Sequence, residues 1–301
     1  MLEKGNTMQI AYDRAFKKIF GNNDAIQRVE FFLSEYLSIP LEDIKGMVTI
    51  LESEKRLYTK DSKRQAVDVI ADVNLNDERK RVNIELNLFE NNTIRNITYV
   101  CNLLSSSIKN KESYAKMPKA LQINFNNYEV DKDNQRIVQR YFFKNEENHI
   151  LTDFIEIDQI SLAKCRKAWY DKTIKNYEEK DQKIILLGAL LSLNNIEEIR
   201  TFIEGEYKMD EELKKDIIDA IEEYNEDADE RLFYDKELDD WKVRQGALEE
   251  AHDEGYELGH DEGAKENSIL IAKNLFKMHM NLEDISKATG LSKEELENIK
   301  I

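Results

Sequence analysis

Proline is nearly missing from this chain, with 2 in 301 residues, and glycine is sparse at 10. Both residues interrupt or loosen helices. Their scarcity, with 35% charged residues, points to a soluble and mostly helical protein. Cysteine is also rare. Cys101 and Cys165 are far apart and lack CxxC spacing. They read as two buried free thiols of a reducing cytoplasm, with a disulfide as the alternative. No apolar run approaches the ~20 residues that span a bilayer, which leaves no membrane segment. The start, MLEKGNTMQI, has no apolar core of the signal-peptide kind. A cytoplasmic protein is the expectation.

Positive charge is lacking too, but only in one half. The net charge is −17, yet residues 1–130 hold 19 basic against 18 acidic residues. The deficit is concentrated at 201–266, with 25 acidic against 8 basic residues. A near-neutral first half can still present a local basic surface to nucleic acid, which the whole-chain charge hides.

Residues 12–37 read as two helices. Tyr12, Ala15, Phe16, Ile19 and Phe20 make one apolar face, and Gly21 breaks it. Asp24 is placed to cap the second helix, which carries Ile26, Val29, Phe32, Leu33 and Leu37. The period then changes. A strand is expected within 46–58. At 65–74, Val67, Val69, Ala71 and Val73 alternate with Asp68, Ile70 and Asp72. At 81–89, Val82, Ile84, Leu86 and Leu88 alternate with Asn83, Glu85 and Asn87, so the two segments form a hairpin signal. A helix over 91–115 and strands near 120–128, 136–143 and 150–157 complete an α/β layer. Beyond about 158 only helical periodicity remains, at 180–205, at 209–225 and along a proline-free stretch from Glu230 to Met280. As one helix that stretch would reach roughly 75 Å.

Side chains at i and i+2 of a strand share a face about 7 Å apart. Glu85 and Asn87 therefore project together, and Asp68 joins them if the hairpin forms. Two carboxylates from neighbouring strands make a hard oxygen site suited to Mg²⁺ or Mn²⁺. Such an ion polarises a phosphodiester and activates water. The bland reading is a solvated strand face that carries Asp, Glu and Asn. Asp72, Glu52 and Glu54 read as solvated strand carboxylates. Arg95, Lys109 and Lys111 on the following helix are candidate phosphate contacts, or simply a solvated helix face. Tyr99 reads as core, and Lys17 and Lys18 as a charge pair without special meaning.

The segments YDRAFKKIFG (12–21), VDVIADV (67–73) and VNIELN (82–87), followed by a helix with Arg95 and Tyr99, resemble the Rpn family of recombination-promoting nucleases and putative transposases. That family lies within the PD-(D/E)XK nuclease superfamily. The resemblance spans roughly 10–160. It implies a restriction-endonuclease-like mixed sheet flanked by helices, here followed by an all-helical C-terminal half, and DNA cleavage with a divalent metal. By motif, Asp68 and Glu85 match the metal-binding acids. Asn87 stands where the superfamily usually has Lys and this family commonly Gln. A lysine would place positive charge beside the developing phosphorane; asparagine keeps only a neutral amide. The leading expectation is a Mg²⁺- or Mn²⁺-dependent DNA endonuclease tied to recombination, mobile elements or defence. The alternative is a silent DNA-binding or assembly protein with the same fold.

Four regions follow: the nuclease-like domain at 1–160, a helical domain at 161–230, a long acidic helix at 231–280 and a helix-turn-helix-like tail at 281–301. His252 and His260 lie two helical turns apart, roughly 12 Å, too far to share one ion within a helix. Ala247, Ala251, Gly255, Gly259 and Gly263 recur every fourth residue. This ridge admits a close second helix, so a homo-oligomer through 244–280, or a folded-back helix, is expected, with a plain surface-exposed helix as the alternative. In the tail, Gly290 makes the turn and Ser292 with Glu295 forms a capping box. Its acidity favours a small packing unit over a DNA reader. The acidic block at 201–266 reads as a solvated face, or as a cover over the nuclease groove.

Overall fold

The computed structural model describes residues 10–21, 23–51, 69–75, 78–87, 93–107, 113–131 and 133–299. Six strands form one mixed sheet: β1 (Val48–Leu51), β2 (Val69–Leu75), β3 (Glu78–Asn87), β4 (Lys119–Asn126), β5 (Val138–Lys144) and β6 (Ile150–Ser161). Their order is β1-β2-β3-β4-β6-β5. β3 with β4 and β4 with β6 run parallel, and the other three pairs are antiparallel. The β2–β3 hairpin read from the alternation is present, with Val69 opposite Ile84 and Ala71 opposite Val82. A parallel step needs a crossover, and α4 (Thr93–Ser105) lies between β3 and β4 in the chain.

Alternation gives the sheet two chemically different faces. On one, Val69, Ala71, Val82, Ile84, Leu86, Ile123, Phe125 and Ile160 are buried. Helices α1 (Asp13–Phe20) and α2 (Ile26–Leu37) supply its aromatic partners. Phe32 meets Phe16, Phe20 and Phe125 edge-on, with ring centroids 5.6, 5.7 and 5.8 Å apart. The other face lies under α4, where Tyr99, Val100 and Leu103 pack with Ile70 and Ala120. The expected Asp24 cap is not made. The chain enters α2 through a 3-10 turn at Asn23–Ala25, which puts Ala25 at the N-cap with no side-chain acceptor to offer. A one-turn helix, α3 (Leu41–Ile44), leads into β1.

The remaining helices are α5 (Leu162–Tyr170), α6 (Glu179–Ser192), α7 (Ile196–Glu206), α8 (Glu211–Glu226), α9 (Ala228–Lys277), α10 (Leu282–Thr289) and α11 (Lys293–Ile299). The continuous helical period at 180–205 is divided at Asn195, whose side-chain oxygen accepts from Glu197 N and Glu198 N. An N-cap starts a new helix because it satisfies backbone donors that have no partner in the preceding turn. Asp210 caps α8 in the same way.

Helices α5 and α6 approach closely at Gly188. A Cβ placed there would lie 2.5 Å from Cys165 Sγ and 3.0 Å from Cys165 Cβ. Gly188→Ala is therefore expected to destabilise the chain by about 1–3 kcal/mol through overpacking. A thermal melt checks this, and an unchanged midpoint would refute the close approach. Both cysteines are free, with Cys165 buried as expected and Cys101 exposed, which corrects half of that expectation. Cys101 lies on the outward side of amphipathic α4, a matter of helical phase.

The chain divides into two compact units, Met1–Leu232 and Phe233–Ile301. Helices α5 to α8 thus belong to the same unit as the sheet. In the second unit, Ala272 near the end of α9 forms a small core with Ile285, Leu291 and Leu296. Gly290 takes a positive φ of 74° at the turn, and Ser292 and Glu295 exchange the hydrogen bonds of the capping box. Among the described residues no helix is long and apolar enough to cross a membrane.

Candidate functional site

The polar residues of β3 point away from Val82, Ile84 and Leu86, as their alternation requires. They do not face water. Asn83, Glu85 and Asn87 are buried, and Glu85 is only 1% exposed. Parallel pairing places them beside Gln122, Asn124 and Asn126 of β4, and these three are buried as well. A layer of amides results. Asn83 Nδ2 donates to Gln122 Oε1 at 2.8 Å, and Gln122 Nε2 donates to Asn124 Oδ1 at 3.0 Å and to Glu85 Oε2 at 3.3 Å. Asn87 Nδ2 donates to Asn126 Oδ1 at 3.0 Å, and Asn126 Nδ2 to Gln159 Oε1 of β6 at 2.7 Å. Burial of so many polar groups is tolerable because most of them satisfy one another.

The bland reading, a solvated strand face, therefore does not hold for Glu85. Its charge is compensated by Arg95, whose Nη2 lies 2.6 Å from Glu85 Oε1. Arg95 reaches there from α4, with a side chain 41% exposed. Tyr99, one helical turn on, accepts from Arg95 Nε at 2.7 Å and places its ring 5.0 Å from the guanidinium carbon. Tyr99 is core, as read, and it also orients this arginine. The structure thus uses Arg95 first as the partner of Glu85.

Asp72 has a different job. Arg81, directly opposite on β3, binds it through both oxygens at 2.7 and 2.9 Å. Arg81 is four residues from Glu85, roughly 13 Å along the strand, so Asp72 stands apart from Glu85. Asp72 is buried and fork-bonded, not the solvated carboxylate expected. Asp68, Lys109, Lys111, Glu52 and Glu54 lie outside the described residues.

A divalent ion of the kind expected here prefers hard oxygen ligands. The described side of the site supplies one carboxylate, Glu85, amid amide oxygens. Asn83 Oδ1 and Asn96 Oδ1, the latter on α4, are buried with no hydrogen-bond partner among the described residues. That donor set fits such an ion in kind. It needs a second acid, since among the described residues no three His, Cys, Asp or Glu side chains are grouped to hold a metal.

The sequence model of a family described as PD-(D/E)XK nuclease family transposase matches residues 10–251. The chain belongs to this family. The match agrees with the Rpn-like resemblance, and it extends beyond the sheet through α5 to α8 into α9. No curated protein and no solved structure matches the chain. Family membership gives the chain a nuclease-like setting.

Two features, one in the site and one on the opposite face of the sheet, escaped the sequence reading. The amide ladder of β4 was visible as alternation, since Gln122, Asn124 and Asn126 interleave with Leu121, Ile123 and Phe125. The other is the role of Arg14 and Lys18 in the YDRAFKKIFG segment. Arg14 binds Glu230 at 2.9 and 3.0 Å, and Lys18 binds Asp227 at 2.9 Å and Glu230 at 3.1 Å. These pairs tie α1 to the first turn of α9. The Arg14 hydrogen bond in particular holds the Glu230 carboxyl below its ordinary range.

Proposed function

We propose that the chain is a divalent-metal-dependent DNA endonuclease in which Glu85 and Asp68 hold the ion. The observation that carries this reading is the β2–β3 register. Val69 stands opposite Ile84, and these are the residues next to Asp68 and Glu85. Asp68 precedes Val69 in the sequence and lies outside the described residues, while Glu85 follows Ile84 on β3. A bound Mg²⁺ or Mn²⁺ would supply charge stabilisation and an activated water. Glu85 would then be a ligand held rigid by Gln122. Asn87, fixed by Asn126, would be a neutral hydrogen-bonding group where related enzymes carry Lys or Gln. Arg95 would bring a guanidinium beside the site, where an incoming phosphate needs a fork of donors.

Supercoiled plasmid incubated with the full chain and Mg²⁺ or Mn²⁺ tests this. Nicking that EDTA stops is the expected result. The second reading, a DNA-binding protein without chemistry, is favoured by one observation: Glu85 is already neutralised by Arg95 and shielded from solvent. DNA retention in a mobility shift, without cleavage under any divalent ion, would select it. In either case, comparison of the full chain with one ending at Leu232 checks restraint by the part of the acidic block that lies beyond 232. A cut at 160 would strip α6 and its buried Ile185, Leu187 and Leu191 from the same unit.

The homo-oligomer also stands as a proposal. Gly255, Gly259 and Gly263 have nothing within 4 Å of where a Cβ would lie, so the ridge is open to a second helix. Gly259→Leu, in the full chain, is expected to lower the molar mass measured by light scattering from oligomer to monomer. A mass identical in both proteins would exclude the ridge as the contact.

A further inference from the structure

The helices behind the sheet carry a basic patch that the nuclease reading does not use. Gly188 of α6 abuts Cys165 of α5, and a Cβ there would lie 3.6 Å from Phe125 Cε1. These helices therefore cover the Phe125 face, whereas Asn124, Asn126 and Glu85 belong to the other. In a chain of net charge −17, residues 161–177 hold five basic side chains and one acid, Asp171. Lys164 binds Glu129 at 2.7 Å. Arg166, Lys167, Lys172 and Lys175 form no ion pair among the described residues. A helix dipole accounts for cations in the last turn and fades beyond it. Lys172 and Lys175 lie past the end of α5.

Those two lysines share a groove of about 610 Å³ with Trp169, Tyr170 and Gln182. The rings of Trp169 and Tyr170 stand 5.0 Å apart at 44°, and Tyr170 is 54% exposed. Both are held from α7. Trp169 Nε1 donates to Glu206 Oε1 at 2.9 Å, and Tyr170 OH donates to Glu198 Oε1 at 2.5 Å. The two carboxylates are thus engaged by the aromatic residues, and neither neutralises a lysine of the groove. Lys172 takes a left-handed φ of 55°, which stops α5 and turns the chain so that Lys172 and Lys175 line the groove with the rings.

We propose that this groove is an exosite for single-stranded nucleic acid, with bases against Tyr170 and Trp169 and phosphates on Lys172 and Lys175. An aromatic ring offers an unpaired base a face to stack on, and free cations beside it follow the backbone. A duplex keeps its bases stacked inside and leaves the rings unused. An acidic peptide would engage the lysines alone. Such an exosite presupposes the nucleic-acid substrate proposed above, but not cleavage.

Titration of the full chain in EDTA with a labelled oligothymidylate of about 12 nucleotides tests it. Anisotropy of the strand gives the affinity. Trp169 and Trp241 are the two tryptophans, so Trp241→Phe leaves Trp169 as the reporter in the groove. Saturable binding with quenching of Trp169 is expected. Tyr170→Ala should weaken binding by about tenfold or more. Lys172→Gln with Lys175→Gln should lower the slope of log affinity against log salt by about 1.4, from two phosphates at about 0.7 each. Tyr170, Lys172 and Lys175 are exposed, so these variants should melt with the parent. Binding without quenching, or an unchanged affinity and salt slope in the lysine variant, would overturn the proposal. So would equal quenching by a duplex or by polyglutamate. EDTA removes the divalent ion, which keeps the two readings apart. Lost cleavage with persistent quenching would count against the nuclease alone; intact cleavage without quenching would count against the exosite alone.

Discussion

Glu85→Gln is expected to reduce metal-dependent plasmid cleavage by more than about a hundredfold, with little change in melting temperature. Loss of an outer-shell partner at a metal site costs about 10–100-fold, and loss of a ligand carboxylate should exceed that. The amide has the size of the carboxyl, so it fits the buried position beside Gln122. The Arg95 contact becomes a neutral hydrogen bond on a half-exposed guanidinium, a change of small cost in stability. A metal titration followed by calorimetry should show weaker Mn²⁺ binding in parallel. Cleavage that survives the substitution would remove Glu85 from the chemistry. Cleavage absent from both proteins would leave the binding reading of the site.

Phe125→Ala should have the largest effect on folding. Phe125 is fully buried on β4, with edge contacts to Phe32 at 5.8 Å and Tyr36 at 6.3 Å. Truncation of such a ring costs about 3–5 kcal/mol, from lost transfer energy and the cavity left behind. That is a large part of a typical total of about 5–15 kcal/mol. For a cooperative unit of this size the melting point should fall by roughly 6–20 °C. Phe143, 46% exposed on β5, provides the control, since Phe143→Ala should leave the midpoint nearly unchanged. Equal shifts from the two would mean that the sheet core is not centred on β4.

Much of this architecture was legible because the relevant signals are local. Val82, Ile84 and Leu86 alternate with Asn83, Glu85 and Asn87, and the strand period of two fixes which set shares a face. The hairpin, the strands near 120 and 150, the unbroken helix α9 and the Ser292–Glu295 box all follow from such neighbour rules. The Asn195 cap between α6 and α7 is equally local, yet the strong apolar period on either side of it masked the break. The Rpn-like segments placed the family, and the family match reaches further along the chain than those segments did.

What the sequence determined alone was the period of each element, the helix ends that have polar caps, and the chemical character of the two faces of each strand. Tertiary structure decided which polar face is sealed. Alternation distinguishes Glu85 from Ile84 but cannot tell water from α4 above it, because burial sums contributions from elements distant in the chain. For the same reason Arg95 became the partner of Glu85, and Asp72 was taken by Arg81.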